Sequence, residues 1–311
     1  MAGTSVNIST TYAGEFAGKY ISAALLSANT LENGGVSIMP NVKYREVLKT
    51  FLLDDIVADG SCDFLPTGDL TLAERYITPK ELQVNVTLCK KQFREDWEAI
   101  KMGYSAFDVL PKTLTDYIIA YMANKVAEAT EKNIWHGLSA TAGKFQSINE
   151  SLVLQGGYNN VGTGTVDASN VISVLGDLVD GIAPNIYGKD GVFLYVPQNV
   201  LQAYVRALGG FSAGVGAAGL NNQGTTWYNG NANALTFDGI PLFYAHGLSN
   251  NKIVLAQKDN LYFGTGLLSD HNEVKVLDMA DIDGSQNVRF VMRYTAGTEV
   301  GFAEEVTTWG L

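Results

Sequence analysis

Gly214, Gly216 and Gly219 repeat with the spacing of a dinucleotide-binding turn. In such a turn the glycines let the backbone approach a pyrophosphate at a helix N-terminus. The context does not suit that chemistry, because the glycines follow a helical pattern rather than a strand. Asn221-Asn222-Gln223-Gly224, which comes next, does not open a helix. The reading is a flexible or contact-making loop. Asp281 and Asp283 ahead of Gly284 look like part of a calcium loop. In that register the first and last ligand positions fall on Met279 and Phe290, where oxygen donors are required. A turn between two strands is the simpler account.

The three histidines, His136, His246 and His271, include no pair at helical spacing. Each is a candidate general base or metal ligand only in isolation, and a structural imidazole is the plainer reading. Cys62 and Cys89 have no metal-type spacing and lie in strand-like sequence. They read as reduced thiols packed as small hydrophobes, with a disulfide between the strands as the alternative. The acidic pairs Asp54-Asp55 and Glu304-Glu305 read as solvated or interface charges. No nucleophile elbow, P-loop or zincin motif is present. The sequence therefore predicts no catalytic residue, no cofactor and no metal, and the chain is not expected to be an enzyme.

The chain is acidic, with 21 Lys and Arg against 32 Asp and Glu and a formal net charge of -11. A groove that holds nucleic acid clusters its cations to neutralise phosphates, and no such cluster exists, so sequence-specific binding is not expected. Charged residues make up only 17%, which leaves neutral surface of the kind other subunits cover. The opening residues lack the basic and apolar regions of a signal peptide. No run of 18 apolar residues suggests a membrane span.

The elements that would position any site centre on residues 108–137, read as one long helix. Pro111 suits its first turn and Gly137 its C-terminal cap. Leu110, Leu114, Tyr117, Ile118, Tyr121, Met122, Val126 and Ala129 recur at spacings of three and four as its apolar face. Asp116, Asn124, Glu128 and Glu131 are expected on the opposite side.

Residues 1–35 read as an arm, a polar lead followed by a helix from Tyr12 to about Ala28. Residues 36–95 read as an extended hairpin with flanking strands. Cys62–Leu65 and Leu70–Leu72 would be its arms, around a turn at Pro66-Thr67-Gly68-Asp69. Leu82, Val84, Val86 and Leu88 alternate with polar residues, marking a strand with one covered face. A two-stranded ribbon is marginal alone and predicts a partner surface, such as another copy of the chain. Residues 96–166 hold the long helix and then Gly-rich loops. Residues 167–256 read as α/β: helices around Val174 and Leu201, and strands over 191–196, 235–244 and 252–256. Residues 257–311 read as a returning antiparallel sheet of strands 260–265, 273–279, 287–295 and 298–309, packed on the long helix.

This α+β order of arm, hairpin, long helix, α/β unit and returning sheet resembles the major capsid proteins of tailed bacteriophages, the Johnson fold. Local sequence carries the likeness at residues 82–91, at Asn133-Ile134-Trp135-His136-Gly137, at Phe237-Asp238-Gly239-Ile240-Pro241-Leu242, and from Asn260-Leu261-Tyr262-Phe263-Gly264 to Val306. The resemblance implies an extended loop over residues 54–81, with Phe64, Pro66, Gly68, Asp69 and Leu70 against a neighbouring subunit. It implies a spine helix over 111–135, a peripheral domain over 96–166 and 257–311, and an axial domain over 167–256. Gly209, Gly210, Gly214, Gly216 and Gly219 would face a hexamer or pentamer axis, where one sequence serves five or six neighbours. It further implies a self-assembling icosahedral shell around double-stranded DNA, with a portal and, in some systems, separate scaffolding or decoration proteins. The shell would be assembled in the host bacterial cytoplasm and located in the virion capsid, with no membrane. The arm has no long scaffolding region ahead of it, so a separate scaffold is expected unless the arm suffices. An encapsulin-like compartment with enzyme cargo and a soluble α+β enzyme are the alternatives.

Overall fold

The computed structural model describes residues 11–12, 28–42, 44–53, 57, 59–60, 70–89, 112–208, 235–266 and 274–311. Two mixed sheets carry the fold, and the long helix lies on the first.

The helix, α2 (Lys112–His136), follows a short α1 (Asn29–Glu32). Its 25 residues make it about 37 Å long at 1.5 Å per residue. The buried stripe is Ile119, Met122, Ala123, Val126, Ala127, Thr130, Ile134 and Trp135. This stripe is rotated from the expected one. Tyr121 is 55% exposed and Ala129 is exposed, whereas Glu131, expected on the polar side, is buried at 4%. Asn124, Lys125 and Glu128 are exposed. Periodicity counts only apolar residues, so a buried carboxylate with dedicated donors turns the face away from the apolar count.

The first sheet has strands β1 (Thr11–Tyr12), β2 (Ser37–Pro40), β5 (Lys80–Cys89), β11 (Leu261–Thr265), β12 (Val274–Asp278) and β13 (Asn287–Val300). Its order is β1-β12-β13-β11-β2, with β5 also on β13; only β2–β11 is parallel. β13 alternates as its sequence predicts, with Val288, Phe290, Met292 and Tyr294 buried and Arg289 and Arg293 exposed. Two apolar clusters join these residues to Ile119, Met122, Ala123 and Val126 of α2. The returning sheet does pack on the long helix.

Strand β13 corrects one expectation. Separate strands were expected over 287–295 and 298–309, yet one strand runs through Gly297 to Val300. A Cβ at Gly297 would lie 2.9 Å from the Thr78 carbonyl oxygen and 3.1 Å from Pro79 Cα, so glycine is there for a close approach. The chain then leaves the sheet through a 3-10 turn, Ala303–Glu305, and ends in β14 (Thr307–Trp309) of the second sheet. Residues 298–309 are therefore not one strand, and 257–311 do not all belong to the returning sheet.

The second sheet runs β6-β14-β10-β7-β9-β8, with β6 (Asn159–Gly162), β7 (Val192–Val196), β8 (Thr236–Phe237), β9 (Ile240–Tyr244) and β10 (Ile253–Gln257). Helices α4 (Val171–Asp180) and α5 (Gln198–Ala207) cover it, burying Val174, Leu175, Leu178, Leu201 and Tyr204 against Leu194, Leu242 and Leu255. The expected single strand 235–244 is split by Asp238-Gly239, both with positive φ (48° and 81°). That pair forms the tight turn of an Asp-Gly hairpin.

Residues 138–165 were expected to be loops, but α3 (Ile148–Gln155) lies there. Ser147 Oγ accepts from Glu150 N at 3.1 Å, which caps its first turn. α3 packs on β13, where Ser151, Gln146 and Gln155 donate to the buried Glu299 carboxylate. At the other end, Tyr12 was expected to begin a helix; Thr11–Tyr12 instead pair with Lys275 and Val274 of β12. The rest of that expected helix, 13–27, lies outside the described residues.

Candidate functional site

The expected hairpin exists with a different first arm. β4 (Leu70–Ile77) pairs antiparallel with β3 (Glu46–Leu53), so that Leu70, Thr71 and Leu72 face Leu53, Leu52 and Phe51 rather than residues 62–65. Val47, Leu48 and Phe51 are the apolar signals in the true arm, read in sequence only as part of a strand-like stretch. Of the predicted contact residues, Leu70 opens β4. Phe64, Pro66, Gly68, Asp69 and the loop residues Gly209, Gly210, Gly214, Gly216 and Gly219 lie outside the described residues, as do Cys62, His271 and Pro111.

The ribbon is a sheet of two strands. Directly paired residues share a face, which puts Val47, Lys49, Leu72, Glu74 and Tyr76 on one side. That side is open: Val47 is 41% and Leu72 51% exposed, and Lys49 and Glu74 are exposed between them. The Arg45 guanidinium lies 3.7 Å above the Tyr76 ring centroid, and Tyr76 OH donates to Glu74 at 2.7 Å. The opposite face holds Leu48, Thr50, Ala73, Arg75 and Ile77, the last fully buried. Ile77 anchors the ribbon's base, filling the space where a Cβ on Gly264 would come within 2.8 Å of its Cγ2.

A second open surface lies between β5 and α2. Leu82, Val84, Val86 and Leu88 form one wall; Tyr121, Met122, Val126 and Ala129 form the other, around about 580 Å³. These strand residues share one side, as the alternation predicts, but that face is only partly covered: Leu82 is buried and Val86 is 37% exposed. Beside it, Glu128 on the outer face of α2 accepts from Lys132 at 2.7 Å and from Lys125 at 3.0 Å. These cations pull its carboxyl down to about 2.

The last turns of α2 form a polar joint that sequence reading missed. The Glu131 carboxylate accepts from Thr30 N at 2.9 Å, Thr30 Oγ1 at 2.5 Å and Gly247 N at 3.3 Å. Trp135 Nε1 donates to Thr30 Oγ1 at 3.0 Å, and the ring packs on Tyr195 at 5.1 Å. His136 Nε2 accepts from Ser249 N at 2.6 Å. The joint ties α1, α2 and the loop from β9 to β10 together. His246, in that loop, stacks on Tyr244 with ring centroids 4.3 Å apart. His136 is thus committed to a backbone donor. Among the described residues no group of three His, Cys, Asp or Glu side chains could hold a metal ion, and no helix is long and apolar enough to cross a membrane.

No family model matches the chain, and no curated protein matches it in sequence. Solved structures share its fold. A chain from the capsid of an empty GTA particle aligns with a TM-score of 0.60 at 13% identity, over 91% of this chain and 89% of that one. One from the capsid of Myoviridae phage XM1 gives 0.58 at 13% identity, over 91% and 92%. One from the procapsid of satellite phage P4 with its size-determination protein gives 0.57 at 8% identity, over 94% and 97%. At this identity the likeness is one of fold.

Proposed function

We propose that this chain is a major capsid protein, a non-enzymatic subunit that self-assembles into the icosahedral shell around the double-stranded DNA of a tailed phage. The observation that carries the reading is the β3–β4 ribbon within a fold shared with capsid chains over about nine-tenths of the chain. A two-stranded sheet with Val47 and Leu72 open to solvent has little intrachain reason to persist. A neighbouring copy supplies the missing surface. In this reading α2 and the first sheet belong to a peripheral domain, and the second sheet with α4 and α5 is the axial domain. The ribbon is the extended loop, and residues 209–224 meet a hexamer or pentamer axis. The acidic balance suits a wall that holds DNA without gripping it. Portal, scaffolding or decoration proteins would complete the particle, built in the host cytoplasm. An encapsulin-like compartment or a soluble enzyme has no comparable support.

The test is electron microscopy of the purified chain, expressed alone and with its genomic neighbours, beside the double variant Val47→Lys, Leu72→Lys. Wild type should form closed shells or rings of five and six. The variant should keep its melting temperature and lose most of its particle yield. Wild-type protein that stays monomeric under every condition would sink the proposal, and full particle yield from the variant would remove the ribbon from it.

A further inference from the structure

His136 closes α2 against the loop that joins β9 to β10. Its Nε2 takes the Ser249 N–H at 2.6 Å, so that nitrogen carries the lone pair and Nδ1 carries the ring proton. Nδ1 faces the Asn149 side-chain amide nitrogen of α3 at 3.4 Å, which leaves Asn149 Oδ1 buried without a partner. Turned over, the amide offers Oδ1 to the Nδ1 proton. The neutral ring then bridges α3 and the loop, accepting from one and donating to the other. One turn and a half earlier, Glu131 holds Gly247 N of the same loop. The backbones meet closely there: a Cβ on Gly247 would sit 2.1 Å from the Glu131 carbonyl oxygen.

We infer that this contact is an acid-released latch, in which protonation of His136 frees residues 246–249 from the end of α2. A proton on Nε2 would set a donor against the Ser249 N–H. The new charge would also find no carboxylate facing it. Lys132 of α2, Lys144 from the turn before α3, and His246 line the same cleft, with Lys252 nearby. Glu131 is turned to Thr30 and Gly247, and Glu150 of α3 to Ser139. Burial first, then Lys252 and Lys144, pushes His136 down from 6.5 to about 4. Because the closed-state value is lowered, the latch is fully stable above 6.5 and weakens as pH falls toward about 4. The inference concerns the fold itself and holds for a monomer or a shell subunit.

Hydrogen exchange of the Ser249 amide in the full chain, corrected for the intrinsic rate at each pH, reads the opening. In wild type, opening should rise roughly tenfold per pH unit on acidification, about two orders of magnitude in all, between 6.5 and about 4. In His136→Gln the amide oxygen keeps the acceptor without titrating, so the curve should be flat. Parallel curves for the two proteins, or a flat wild-type curve, would overturn the latch. Nitrogen-15 spectra of the wild-type ring give a check that needs no variant. The latch requires a ring that stays neutral, protonated on Nδ1, well below pH 6; a ring that titrates at its ordinary value would overturn it.

Discussion

The middle of α2 and its last two turns are held by different physics. Ile119, Met122 and Val126 lie on Val276, Val288, Phe290 and Met292, a contact between apolar surfaces with no directional demand. Glu131, Trp135 and His136 meet Thr30, Gly247 and Ser249 through hydrogen bonds with fixed donors and acceptors. An apolar contact tolerates small slides and exchanges of similar volume. A buried polar contact does not, because a displaced partner leaves a desolvated group unpaired. The first kind stabilises the helix on its sheet, and the second sets where along the sheet it stops.

Three substitutions probe that difference, each read as unfolding free energy from denaturant titration. Trp135→Ala should be the most severe, about 3–5 kcal/mol, because a fully buried ring and the Thr30 hydrogen bond are lost together. Thr30→Val keeps the volume, removes one donor to the Glu131 carboxylate and takes the acceptor from Trp135 Nε1. It should cost about 1.5–3 kcal/mol, the range for hydrogen bonds to charged groups. Met122→Leu keeps volume in the apolar stretch and should cost under about 1.5 kcal/mol. If the Thr30 change proved milder than the Met122 change, the distinction between the two halves would fail.

The parts legible in the sequence were those whose burial is apolar and local. Val174, Leu175 and Leu178 announce α4, and Leu82 to Leu88 announce β5, because each pattern is complete within one element. Glu131 was misplaced because its donors lie 101 and 116 residues away, and nothing nearby marks it as buried. The break expected between residues 295 and 298 is absent because Gly297, a glycine that admits another backbone, looks the same in sequence as one that turns its own. Helix α3 did carry a signal, Ser147 followed three residues later by Glu150, the spacing of a capping box. Glycines on both sides hid it. That a ribbon lies within residues 36–95 was legible from the strand-like sequence there. Its pairing was not, since register depends on which strand lies opposite. The predicted contact residues from Phe64 to Asp69 and from Gly209 to Gly219 remain expectations of the proposed shell.

Strand β13 has a mechanical consequence. Its 14 residues are bonded to β5 from Asn287 to Ala296, to β12 from Val288 to Met292, and to β11 from Ala296 to Val300. A pull along its axis must shear many hydrogen bonds at once, so the strand behaves as a stiff beam. The β3–β4 ribbon has no such backing; loaded the same way it would bend at Ile77, where it enters the sheet. Strain applied to the molecule would therefore collect in the ribbon and leave the beam, and the helix resting on it, almost undeformed.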